Sequence, residues 1–191
     1  EDENAVAEGT KGNVYATNAG WVSQAGTAAS GNSNASADPE VLVAIGGLAG
    51  SSSTTGLRTP TATDMRFVIG ATATTDLTAG SSAQTILVEI TWDEGVTVVG
   101  NPTLAIANGN QGTGSGRGPY TCVYTATGST ANRKRFILAS QTIVANDILT
   151  IGGANIALAG GTISDTVVGG TTLAASLVLS GLTAVTHTVL A

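Results

Sequence analysis

Gln84-Thr-Ile-Leu-Val-Glu-Ile-Thr-Trp92 is the stretch on which the fold turns. Ile86, Val88, Ile90 and Trp92 recur at every second position, and Thr85, Leu87, Glu89 and Thr91 occupy the alternate ones. A period of two marks a half-buried β-strand. Asp93-Glu94-Gly95 breaks the run with turn residues, the last free to adopt a positive φ. Val96-Thr-Val-Val-Gly-Asn-Pro-Thr-Leu-Ala-Ile106 resumes it, and Asn108-Gly109 supplies a hairpin signal at its end.

The same signals recur on both sides. Towards the C-terminus, strands are expected at residues 120–126, 135–139, 147–151, 156–158 and 162–163, with a last firm one at 173–179. The apolar tail after Leu182 is expected to be paired or buried. Towards the N-terminus, Asp64-Met-Arg-Phe-Val-Ile69 is a strand. Trp21-Val22 and the apolar run Val41 to Ile45 form a hairpin whose wide tip is the Gly/Ala/Ser/Asn tract at 24–38. Residues 1–12, acidic and poor in large apolar side chains, read as a flexible arm. No helical period persists over three turns. The expectation is therefore an all-β chain: an antiparallel β-sandwich over residues 64–191, preceded by an arm and a small β-rich attachment region over residues 1–63.

Composition narrows the chemistry. Only 10% of the 191 residues are charged, against a usual share of about 25%. The net charge of −6 disfavours nucleic-acid binding, which needs a basic footprint. Eleven of the thirteen acids lie in the first hundred residues, whereas four of the seven bases follow, three of them in Arg133-Lys134-Arg135. That triplet reads as a solvated strand start. The asymmetry also suits steering between identical subunits or onto a charged scaffold. One cysteine, Cys122, excludes an intramolecular disulfide and reads as a buried, inert thiol. No apolar run reaches the length of a membrane helix.

Catalytic residues are not expected. The single histidine, His187, sits in an apolar segment, and Asp93-Glu94 occupy a turn without a partner in view. Asp93, Glu94, Asp147 and Asp165 are too scattered to predict a calcium site. The glycine-rich run at 108–118 is followed by Pro119-Tyr120, which opens a strand where a phosphate loop would need a helix. Neither a metal nor a cofactor is expected.

The run Ile86 to Ile106 resembles the bacterial Ig-like repeats of large adhesion and biofilm proteins. Trp92 stands at their aromatic position, Glu94 at their acid, and Gly100, Pro102 and Leu104 at their Gly-x-Pro-x-Leu. Tyr120 to Tyr124 resembles their tyrosine-bearing strand, and Ile156-Ala-Leu-Ala-Gly-Gly-Thr-Ile-Ser-Asp165 is similar to their Leu-Asn-Gly-Gly-Thr-Ile-x-Asp signature. The resemblance spans about residues 79–179 and implies an Ig-like module. Tyr15-Ala-Thr-Asn-Ala-Gly-Trp-Val22 and Glu40-Val-Leu-Val-Ala-Ile-Gly-Gly-Leu48 are similar to openings of tailed-bacteriophage virion structural proteins. This implies a non-enzymatic capsid decoration or cement protein on the virion surface. It would attach to a major capsid protein or other virion protein through Tyr15, Trp21, Val41 and Leu42, and act as a homo-oligomer, with a trimer one option. A phage neck, tail or fibre component, or an adhesion module of a bacterial cell surface, is the alternative.

Overall fold

The computed structural model describes residues 13–17, 20–24, 34, 36–37, 40–44, 59–68, 84–110, 119–141, 146–165 and 172–189. The expected arm at 1–12 and the glycine-rich tip at 111–118 lie outside them. Among the described residues there are twelve strands and no helix. They are β1 (Val14–Thr17), β2 (Gly20–Ser23), β3 (Glu40–Ala44), β4 (Ala62–Phe67), β5 (Gln84–Trp92), β6 (Val96–Val99), β7 (Thr103–Asn110), β8 (Tyr120–Thr125), β9 (Arg133–Gln141), β10 (Asp147–Ile151), β11 (Thr162–Asp165) and β12 (Val185–Thr188). Every strand pair is antiparallel. The chain is all-β, as its alternating pattern predicts.

Three sheets result. One is the small sheet β1-β2-β3. The second has seven strands in the order β12-β10-β7-β8-β9-β5-β4, and the third is the ribbon β11-β6. The seven-stranded sheet and the ribbon share one core. Ile86, Val88, Ile90 and Trp92 from β5 meet Leu104, Ile106, Cys122, Phe136, Leu149 and Ile151, with Val96, Ile156, Ile163, Ala175 and Leu179 closing the other side. The large sheet curls strongly. Its edge strands β4 and β12 come together, and Phe67 rests on His187 with ring centroids 5.7 Å apart. The expected apolar tail is thus paired, with Val185–Thr188 laddered onto β10.

Several expectations change at their edges. Asn108-Gly109 are not a turn: both lie inside β7, opposite Leu149 and Ile148. β4 begins at Ala62, and Pro60 and Thr61 already bond to the larger unit, through Ser176 N–H donating to Pro60 C=O and Thr61 N–H donating to Asp93 Oδ1. Asp93-Glu94-Gly95 do break the run, but the chain then leaves the large sheet for the ribbon. Residues 173–179, expected as a firm strand, form a strap instead. Asp165 N–H donates to Leu173 C=O, Ala175 N–H to Ile163, Ser176 N–H to Pro60, and Leu179 N–H to Asn155 Oδ1. The partner changes almost residue by residue, so no single ladder forms.

The two motifs that carry the Ig-like resemblance meet in space. Residues 96–99 and 162–165 pair as the ribbon, with Val99 opposite Thr162. Beyond that pair Gly100, at φ 78°, lies against Gly161: a Cβ on Gly100 would stand 2.9 Å from Gly161 Cα. A Cβ on Gly161 would run into the Val99 carbonyl oxygen and crowd Leu158 O and Pro102 Cδ. All the atoms facing Gly161 are backbone or proline ring, so none yields by a rotamer change. Gly161→Ala is expected to cost about 1–3 kcal/mol, read as a lower urea midpoint with an unchanged m-value.

Candidate interaction surfaces

The small sheet is built from a tight hairpin and an added strand. Tyr15 pairs directly with Val22, and both are buried. Gln24 N–H donates to Asn13 C=O at 2.7 Å and closes the open end of the hairpin. On the other face Trp21 stands opposite Val43 of β3. A register shift between Trp21 and Val22 leaves Leu42 as the extra residue on β3, a β-bulge.

Adjacent exposed apolar side chains stand on this sheet. Trp21 is 41% exposed, and Val41, Leu42 and Val43 are 47%, 50% and 56% exposed. Three successive apolar residues on one strand are therefore open on both faces. Among the described residues β3 is also the sheet's edge, paired to β2 on one side only. An apolar edge strand with free backbone groups is a template for pairing with another chain. Of the four residues singled out in the sequence, Trp21, Val41 and Leu42 are all exposed on this sheet, Val41 in the row of Val22 and Tyr15 and Trp21 on the other face beside Val43, its most open member. Tyr15 faces away from Trp21 and is buried in its pair with Val22.

The second surface is on the outer face of the large sheet, where the sequence pointed only to the charged triplet Arg133-Lys134-Arg135. β5 is buried on both sides: Leu87, Glu89 and Thr91 are as inaccessible as the core face. Glu89, 1% exposed, is gripped by three arginines. Arg66 donates from Nε and Nη2 to Oε1 at 2.9 and 2.6 Å, Arg135 donates from Nε to Oε2 at 3.1 Å, and Arg133 Nη1 lies 3.7 Å from Oε1. β-pairing sets this up, because Arg66 and Arg135 flank Glu89 on the neighbouring strands and Arg133 is opposite Thr91. Burial pushes the Glu89 carboxyl up. Arg66 and Arg133, with hydrogen bonds from Arg66 and Arg135, outweigh that and hold it below the ordinary carboxylate range.

The triplet Arg133-Lys134-Arg135 is thus not a solvated strand start. Its arginines clamp Glu89, and Lys134, between them, turns to the other face. There Lys134 is buried and donates from Nζ to Thr130 C=O at 2.6 Å. Burial pulls its ammonium down to about 8.

The remaining sequence candidates have structural work. Asp165 Oδ1 accepts from Leu173 N–H at 2.8 Å and Asp93 Oδ1 from Thr61 N–H at 2.7 Å, so each acid anchors a crossing. Cys122 is buried as expected, and burial raises its thiol to about 12, far from a reactive thiolate. Comparison with family models, with curated proteins and with solved structures gave no match.

Two pH effects follow from the buried charges. A depressed Glu89 contributes stability that is complete above its unfolded value of 4.5 and is lost as pH falls through the lower folded value. Glu89→Gln should flatten this acid limb of a Tm-against-pH curve, and at neutral pH cost about 3–5 kcal/mol by leaving the arginines uncompensated. Lys134 has the opposite limb. Its folded value lies below its unfolded 10.5, so stability rises with pH between about 8 and 10.5. Lys134→Met should remove that rise and raise the Tm at pH 7.

Proposed function

We propose that this chain is a non-enzymatic virion structural protein, a capsid decoration protein that docks on the phage head through its N-terminal sheet. The larger unit would be an Ig-like module carried on the virion surface. The observation that supports the reading best is the open strand β3 beside Trp21. A partner strand laid along β3 would satisfy its outer backbone groups and cover Val41, Leu42, Val43 and Trp21 in one step. Tyr15 would hold the hairpin that presents them. Such contacts need only be modest singly, because many copies on one particle add their effects. The partner is a major capsid protein or another virion protein.

Purified tailed-phage heads, pelleted with the protein and with two variants, test this. Val43→Lys and Trp21→Ala change exposed side chains and should shift stability by no more than about 0.5 kcal/mol. Each should weaken head binding by about tenfold or more, as loss of a central apolar anchor does. Head binding that survives both substitutions would remove the docking role from this sheet. A protein that ignores heads but adheres to bacterial cells would favour the adhesion-module reading instead.

A further inference from the structure

The outer face of β4, β5, β9 and β8 carries a pattern that clamping Glu89 does not exhaust. Its side chains stand in rows set by the strand register. The first row is Asp64, Thr91 and Arg133. The second is Arg66, Glu89, Arg135 and Thr125, and the third is Leu87, Ile137 and Val123. The first two rows are polar and the third apolar. Three guanidinium groups against the carboxylates of Glu89 and Asp64 leave the face net positive.

The donors there are far from used up. Each guanidinium offers five N–H groups, yet Arg66 spends two groups on Glu89 and Arg135 one. Arg133 Nε is buried and makes no hydrogen bond. Arg66 is the most open of the three, with more than a third of its side chain accessible. Arg135 is held against Gly128, where a Cβ would strike its guanidinium. The cations are fixed and partly accessible, and they stand beside an apolar strip in which Val123 is exposed.

We infer that this face is a socket for residues 1–8 of a second copy of the chain. That segment reads Glu1-Asp2-Glu3-Asn4-Ala5-Val6-Ala7-Glu8. Laid extended along the strands, it turns residues 1, 3, 5 and 7 to one side, at steps of about 7 Å. Those residues are Glu, Glu, Ala and Ala. The spacing between the rows of the sheet is the same step. Glu1 then meets the row of Arg133, Glu3 the row of Arg66 and Arg135, and Ala5 the strip of Ile137 and Val123. The segment matches the face in both charge and apolar order. This contact involves only copies of the chain and is independent of the capsid reading.

The test uses a labelled peptide of residues 1–12 and, as receptor, the full chain with Glu1→Gln, Asp2→Asn, Glu3→Gln and Glu8→Gln, which vacates the socket. Fluorescence anisotropy should show saturable binding that weakens about tenfold between 50 and 500 mM salt. A peptide with Glu1→Gln and Glu3→Gln should bind about tenfold less tightly; this arm leaves the receptor's fold untouched. Arg66→Gln in the receptor, its fold checked by circular dichroism, should have a similar effect, with Arg66→Lys intermediate. Wild-type protein should associate in light scattering and dissociate in high salt. No saturable binding, or equal binding of the neutralised peptide, would overturn the inference. So would wild-type protein that stays monomeric at concentrations well above the peptide's Kd.

Discussion

A carboxylate in the middle of a sheet, with no access to water, sets the terms for the larger unit. Stripping solvent from Glu89 is costly unless cations and hydrogen bonds replace it. Replacement comes from both neighbouring strands, so the charge clamps β4 and β9 onto β5 at one level of the sheet. Leu87 and Thr91, on the same face, are buried along with Glu89. β5 is thus buried on both of its faces. Removing any one partner leaves the others with an unbalanced charge, so the four residues behave as a unit.

The other face of β5 depends on a different constraint. Trp92 lies under the strap at 172–182 and donates from Nε1 to Ser176 C=O at 3.4 Å. Asn132 Nδ2 donates to Trp92 C=O, so the end of β5 is tied to the approach to β9 as well. Elsewhere in the same core unit β6 and β11 approach at Gly100 and Gly161 with no side chain between them. Small residues let the two ribbon strands close on each other there, whereas the large side chain of Trp92 fills the core.

How far this was readable in the sequence depends on the range of each interaction. β5, β8 and β10 follow directly from alternation, since each has a buried side within its own few residues. Arg133-Lys134-Arg135 do not. Their roles are set by register with β5, more than forty residues away, and a local run of charge looks the same whether it faces water or Glu89. Residues 173–179 mislead for the opposite reason. Their alternation is real and Ala175 and Leu179 are buried, but burial does not require one continuous partner strand. Asn108-Gly109 carry a turn signal that the longer β7 overrides through pairing with β10. On the small sheet, Trp21, Val41 and Leu42 were legible as a group, whereas the inward orientation of Tyr15 follows from pairing with Val22.

The contrast between the two units bears on what the small sheet does. The body buries most of its large apolar side chains in one core, and its curled sheet brings β4 and β12 together. The small sheet does not. Its three strands have four or five residues each, and Tyr15 and Val22 are its buried large side chains among the described residues. Strands this short gain little from their own packing, while four large apolar side chains stay in water. A bulge at Leu42 twists the edge, which tempers indiscriminate strand pairing without hiding the side chains. An edge protected from every passing strand would be covered or charged throughout. This one keeps a single acid, Glu40, at its start and leaves the rest apolar. That combination disfavours random stacking yet retains a strong gain on burial.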